Sequence, residues 1–397
     1  MSRRAGLDAI VVGGGIVGSA TAPALAREGF DVALVEANAP KPWRVEDEVD
    51  LRVVALAPDG ADLLDGLGVW QGIRAARVGP YRRMCVWDAL APGELVFDAG
   101  ERGEPALGWI VENRLLQHAL WQALGSAAGR VRLCCPDALA GVEDEGDGVI
   151  ATLDSGERLQ ARVLIGADGV GSPLRERLGI GTHGRDYGQR AVVAHVASER
   201  PHEGTAWQRF QPGGPLAFLP LADGRCSIVW SLPEAEAARV LALDDEAFLG
   251  ELGCALDFRL GRITATTPRA GFPLRLRLAG RYVAGRCLLI GDAAHGVHPL
   301  AGQGMNLGLR DVANLRRQFG LARAQGGDIG AAHVLRRYER ERRSENTLAA
   351  RGFDVIERVF SSDSMALAAL RGAALAFAGG VPPLRRRLGD IAAGRTR

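Results

Sequence analysis

Three glycines near the amino terminus, Gly13, Gly15 and Gly18, have the spacing G-x-G-x-x-G. A dinucleotide pyrophosphate must come within hydrogen-bonding reach of main-chain amides at a helix start. A Cβ at the first two positions would block the turn or the approach, and the third glycine lets helix and strand pack closely. Glu36 ends the next apolar run and is placed to accept from a ribose hydroxyl. Its charge repels a 2′-phosphate, so FAD or NAD fits better than NADP. A second group lies far downstream, in Gly291-Asp-Ala-Ala-His-Gly-Val-His-Pro-Leu-Ala-Gly-Gln-Gly-Met-Asn-Leu-Gly308. Asp292 is an acceptor for a ribityl hydroxyl. The amides near Gly304, Met305 and Asn306 open a helix toward something electron-rich, which suits the N1/O2 edge of a reduced flavin. His295 and His298 share this loop and have two readings, proton transfer near neutral pH or bonds to loop carbonyls.

Positioning these groups requires a parallel sheet. The apolar run 7–12, the glycine turn, a helical pattern through Ala20, Ala24 and Leu25, and a second run at 31–36 make a βαβ unit. Runs at 163–168 and 287–292 also end in Gly and Asp, as strands do where ligands collect at the edge of such a sheet. Residues 81–109 and 187–272 instead alternate apolar and polar, with Pro/Gly punctuation, and read as a separate antiparallel sheet. Beyond 307 the pattern is helical. The predicted fold is therefore α/β, a Rossmann-like dinucleotide-binding domain with an inserted antiparallel β-sheet and a helical C-terminal region; the resemblance given below makes it an FAD-binding domain. The expected boundaries are 1–78, 111–182 and 283–345 for the nucleotide domain, 79–110 and 183–282 for the insertion, and 346–397 for the C-terminal helices.

Composition narrows the class. At 397 residues and 47% hydrophobic content the chain can bury a substantial core. Lys and Arg number 48 against 47 Asp and Glu, so no overall positive field attracts nucleic acid. Six cysteines without a C-x-x-C pair read as reduced thiols. The run 365–381 is interrupted by Arg371 and falls short of the ~20 residues a bilayer crossing needs. With no targeting segment visible, the expectation is a soluble cytoplasmic protein. The basic tail Pro382-Pro-Leu-Arg-Arg-Arg-Leu388 reads either as a peripheral contact with the inner membrane or as a helix packed on its own domain or on a second copy.

The chain resembles the flavin-dependent aromatic hydroxylases, with a p-hydroxybenzoate hydroxylase-like fold, and within them the ubiquinone-biosynthesis branch (the UbiI, UbiF and UbiH type). Gly13 to Gly18 is similar to the first FAD motif, Gly166-Ala-Asp-Gly-Val-Gly-Ser-Pro-Leu-Arg175 to the Asp-Gly motif, and Gly291 to Gly308 to the last FAD motif. Asp50-Leu-Arg52, Leu67-Gly-Val-Trp-Gln71, Ile110-Val-Glu-Asn113, Phe218-Leu-Pro-Leu221 and Ser227-Ile-Val-Trp230 are closer to the branch, and the likeness spans roughly 7 to 345. It implies a single-component monooxygenase holding FAD through Gly13, Gly15, Gly18, Glu36, Arg52, Arg114, Gln117, Asp168, Asp292, Gly304, Met305 and Asn306. NAD(P)H or another donor would be the reductant and molecular oxygen the co-substrate, acting by way of a flavin C4a-hydroperoxide. The implied substrate is a polyprenylated phenol or benzoquinol, with the C5-type reaction preferred narrowly to the C6-type. Phe218, Leu219, Trp230 and Pro299 are expected to line its pocket, and His298 and Tyr187 are the candidate catalytic residues. Implied partners are other ubiquinone-biosynthesis proteins, and a homo-oligomer stays open.

Two rival readings remain. One is an FAD hydroxylase of a small soluble aromatic; the other is a flavin-binding scaffold subunit with little turnover. A flavin halogenase is disfavoured, because the Trp-x-Trp-x-Ile-Pro motif is missing and the lysine at Lys41 lies in a nucleotide-domain loop.

Overall fold

The computed structural model describes residues 6–126, 129–296, 303–360, 371–372, 377 and 381–392. Five strands form a parallel core in the order Cys287–Leu289, Arg158–Gly166, Leu7–Val12, Val32–Val35 and Val131–Cys134. Their near-continuous apolar runs follow from burial on both faces. The first helix, Ile16–Arg27, follows the first strand, and together with Asn113–Gly125 and Gln303–Ala324 it lies on the sheet. Arg158–Gly166 does two jobs. Its first half pairs antiparallel with Val149–Leu153, which in turn pairs with Leu139–Asp144, while its second half joins the parallel core.

A nine-stranded sheet makes the second layer, in the order His295–Gly296, Ala270–Ala279, Thr182–Ser198, Cys226–Pro233, Leu216–Pro220, Thr205–Phe210, Arg83–Asp88 and Glu94–Asp98, with Ile263–Thr266 also on Thr182–Ser198. One pair departs from the antiparallel expectation: Thr205–Phe210 runs parallel to Arg83–Asp88. The two strands come from separate excursions of the chain, so no hairpin constrains their direction, and the intervening elements serve as the long crossover a parallel pair needs. Val78–Tyr81 and Gly108–Glu112 lie outside this sheet and form a third, three-stranded one with Val53–Leu56.

Helices Glu234–Ala242 and Asp245–Ala255 cover one face of the nine-stranded sheet. The other face meets the nucleotide-type half through Ala55 and Ile110, and through Leu51. Helix Ala332–Phe360 runs unbroken past position 345, so the chain has no structural break there. The terminal helix Pro382–Ala392 is tied to the edge of the second sheet, with Arg385 paired to Glu101 at 2.6 Å and Asp390 to Arg102. These contacts match the reading in which the tail packs on its own domain. Among the described residues no helix is long and apolar enough to cross a membrane.

Candidate cofactor and substrate site

The three motifs converge at the carboxyl ends of the parallel strands. Val12 pairs with Gly166, and the Ala167 amide donates to Val12 O at 2.7 Å. Gly13 has φ +104°, and a Cβ there would stand 2.4 Å from Ala167 O. A Cβ on Gly18 would fall 1.8 Å from Gly13 O. Both positions are therefore required by the protein's own packing. At Gly15 a Cβ would meet nothing within 4 Å. Gly15 is the N-cap of the first helix and no side chain caps that end, so open space lies beside amides suited to an anion. The last motif arrives at the same place: Cβ atoms built on Gly291 and Gly308 would lie 3.2 and 2.6 Å from Val17 methyls. Both glycines of the last motif thus pack against Val17, 274 and 291 positions earlier in the chain.

The glycine loop is braced from several sides. Gly14 O accepts from Gln117 Nε2 at 3.0 Å, Trp121 Nε1 at 2.8 Å and Ser19 Oγ at 2.8 Å. Glu36 accepts the Gly14 amide at 2.5 Å on one oxygen and the Asn38 amide at 3.0 Å on the other. A carboxylate has room for further donors, so Glu36 can brace the loop and still accept from a ribose. Gln117, an expected cofactor residue, donates to the glycine loop itself. Arg114 is turned to the 42–47 segment, bonding Pro42 O at 2.8 Å and Asp47 at 3.2 Å.

Asp168 accepts the Leu174 amide at 2.9 Å through Oδ2, while its buried Oδ1 has no protein partner among the described residues. Arg175, buried at the end of that motif, bridges Val170 O at 2.9 Å and Ala293 O at 3.0 Å and so joins two motifs. Asp292 is exposed while its neighbours on both sides are buried. Protein crowds the rest of its surroundings, and this desolvation raises its pKa against the opposing pull of His295 and Arg52. Asn306 is buried and bridges elements, accepting the Ala57 amide and donating to Ala55 O, both at 2.9 Å. Gly304 and half-buried Met305 start the same helix, with Met305 packed on the cluster around Leu309 and Val312. His295 is buried with its Nε2 on the Asp311 carboxylate at 2.5 Å, a side chain of another element and not a loop carbonyl. His298 and Pro299 lie outside the described residues.

The segment carrying Arg52 is clamped in place. His195 Nε2 donates to Asp50 O at 3.1 Å, and burial lowers its pKa, favouring the neutral ring. Glu112 accepts the Asp50 amide at 2.7 Å while a bidentate pair with Arg77 neutralises it. Arg52 then lies over the Phe272 ring at 6.0 Å.

The pocket expectation needs correction. Phe218 and Trp230 are buried under the two covering helices, packed with Val240, Phe248 and Leu252. Leu219 packs on the opposite face with Ala55 and Ile110. Side chains alternate across a strand, so neighbouring Phe218 and Leu219 cannot share one pocket. Cross-strand register places Trp230 with Leu216 on the helix side, and Val229 with Ala217 on the cleft side. Tyr187 sits where the register with Ala270–Ala279 shifts, and packs on the cleft side with Val193 and Leu274. Such bulges re-aim side chains, and Arg185 stacks on the Tyr187 ring at 4.4 Å.

The open space at Gly15, the unpartnered Asp168 oxygen and the exposed Asp292 together fit a dinucleotide laid across the strand ends. A family model described as "FAD binding domain" matches residues 6–351. The chain belongs to that family. It is a flavin monooxygenase of the ubiquinone-biosynthesis hydroxylase group. It is 38% identical over 387 residues to the 3-demethoxyubiquinol 3-hydroxylase of Escherichia coli, covering 97% of this chain and 94% of that protein. To the human ubiquinone biosynthesis monooxygenase COQ6, mitochondrial, it is 34% identical over 435 residues, covering 96% and 91%. The fold matches p-nitrophenol 4-monooxygenase from Pseudomonas putida with TM-score 0.79 at 20% identity, covering 99% of each chain. HpxO from Klebsiella pneumoniae, solved with FAD and uric acid, gives 0.72 at 22% identity, covering 98% and 96%. The cofactor of this hydroxylase is thus FAD, and the NAD alternative falls away. Its activity consumes oxygen and a reduced electron donor.

Trp121, Ser19, Arg175, Asp311 and His195 were not singled out from sequence. For Arg175 the sequence signal is a single cation closing the Gly166–Arg175 motif; its burial is visible only in the structure.

Proposed function

We propose that this hydroxylase acts on the ring of a polyprenylated phenol or benzoquinol, with the C5-type position as first reading. The observation that carries the site is the meeting of the Gly13–Gly18, Gly166–Arg175 and Gly291–Gly308 motifs at one end of the parallel sheet; Leu219 and Tyr187 lie on the face of the second sheet that packs on Ala55, Ile110 and Leu51. Held there by the glycine-loop amides, Asp168 and Asp292, FAD would supply the redox chemistry that couples a two-electron donor to molecular oxygen, one oxygen atom going to the ring and the other to water.

The chain's own residues bind, orient and exclude water. Helix-start amides beside Gly15 hold the pyrophosphate, and Asp168 and Asp292 accept from nucleotide hydroxyls. Arg52 balances negative charge at the flavin. The cleft face of the second sheet, with Ala191, Val193, Leu219 and Leu274, keeps water from the reacting centre. In this reading Tyr187, on the face that carries Val193 and Leu274, is the residue that bonds the ring hydroxyl. The domain division given from sequence belongs to this reading, with the insertion as substrate layer.

The 38% identity to the E. coli 3-demethoxyubiquinol 3-hydroxylase favours a second reading, the ring position in that enzyme's name. Complementation of strains each lacking one ring hydroxylase, with the accumulating precursor identified by mass, separates the two. Rescue of neither strain refutes the pathway assignment.

A further inference from the structure

Asp311 projects from the helix Gln303–Ala324 and is fully buried. Its Oδ2 accepts the Gly291 amide at 2.9 Å and His295 Nε2 at 2.5 Å. Its Oδ1 accepts Arg342 Nε at 2.7 Å and Asn346 Nδ2 at 3.1 Å. Four donors fill the lone-pair directions of one carboxylate. Burial alone would raise the Asp311 pKa, but His295 and Arg342 outweigh it and hold the carboxyl well below its usual range. Arg342 is itself buried, and its remaining nitrogens go to Asn346 Oδ1 at 2.8 Å and to Glu345.

Burying such a network stabilises a fold little more than apolar packing of the same volume would. Its value lies in what it orients. Asp311 grips the amide of Gly291, a residue with φ +58°. Among residues 290–295, only Asp292 is exposed. The last motif thus leaves one carboxylate exposed, on a turn whose first amide is bonded to a fixed charge. Arg342 and Asn346 lie on a different helix, Ala332–Phe360, outside the motifs.

We propose that Asp311, locked by Arg342 and Asn346, is a positioning residue for the cofactor: it sets the Gly291 turn so that Asp292 reaches the flavin nucleotide. His295 then serves as the fourth donor that completes Asp311. This inference rests on the placement of Asp292 at FAD proposed above.

The test titrates flavin-free protein with FAD, reading flavin fluorescence, with the denaturation midpoint measured alongside. The proteins are wild type, Asp292→Ala, Asp311→Asn, Arg342→Lys and Tyr338→Phe. Tyr338→Phe removes a buried bond to Leu289 O at 3.1 Å and leaves all four donors of Asp311 in place, so it reports destabilisation of the same core. Asp311→Asn is expected to weaken FAD binding about tenfold or more and to change the visible circular dichroism of bound flavin. Arg342→Lys, which keeps the charge and loses the fork, should weaken it less. Tyr338→Phe should stay within about twofold despite a lower midpoint. Should Asp311→Asn fail to fold, Arg342→Lys and His295→Gln carry the comparison. Equal effects of these variants and Tyr338→Phe overturn the inference, as does unchanged FAD affinity in them while Asp292→Ala weakens it. Unchanged affinity in Asp292→Ala itself overturns the placement of Asp292, and the inference with it.

Discussion

Gly15 and Gly18 share a motif, but their surroundings predict opposite behaviour when each becomes alanine. At Gly18 the added methyl would stand 1.8 Å from Gly13 O, so the first helix must move off the strand end. Forced overpacking of this kind costs about 1–3 kcal/mol, and a backbone obstacle belongs at the upper end. At Gly15 the methyl meets no protein atom within 4 Å and φ is −66°, which alanine adopts freely. Only the weaker N-cap propensity is lost, so flavin-free Gly15→Ala should lose no more than about 1 kcal/mol. Its methyl enters the space assigned to the pyrophosphate. If the same 1–3 kcal/mol is then charged to binding instead of folding, FAD affinity falls about five- to 160-fold. Urea midpoints of the flavin-free proteins and FAD titrations separate the two effects. Gly15→Ala that binds FAD like wild type would refute the claim that this gap faces the cofactor.

Asp292 has a raised pKa through desolvation, so its charged form is disfavoured in the fold. Its ionisation therefore lowers stability as pH rises above the ordinary carboxylate range. Asp292→Asn should raise the melting temperature of the flavin-free protein at pH 7, and the gain should vanish near pH 3, where both states are protonated. Phe218→Ala should cost about 3–5 kcal/mol of stability, as removal of a buried aromatic does, while the KM of the folded fraction for the aromatic substrate stays unchanged. Leu219→Ala, on the cleft face, should instead raise that KM or increase reductant oxidation without product. Arg385→Glu sets two acidic groups together at Glu101 and should loosen the terminal helix, read as faster proteolysis there, with stability changed by less than about 1 kcal/mol.

What the sequence determined alone is what consecutive residues encode. The run 7–12, the glycines and Glu36 lie within one βαβ unit, where strand period, turn chemistry and helix start are all local, so the nucleotide site was legible. The alternation in 187–272 likewise announced a second sheet. Tertiary structure decided which side of that sheet meets the nucleotide-type half. Phe218 and Trp230 are as apolar as Leu219, and only the helices Glu234–Ala242 and Asp245–Ala255, packed on one face, assign them away from the cleft. It also decided that Gln117 braces Gly14 O, that Asn306 bridges Ala55 and Ala57, and that Asp311 meets Gly291. Each of these is a bond between elements far apart in the chain, and spacing along one segment carries no record of the partner that packing brings to it.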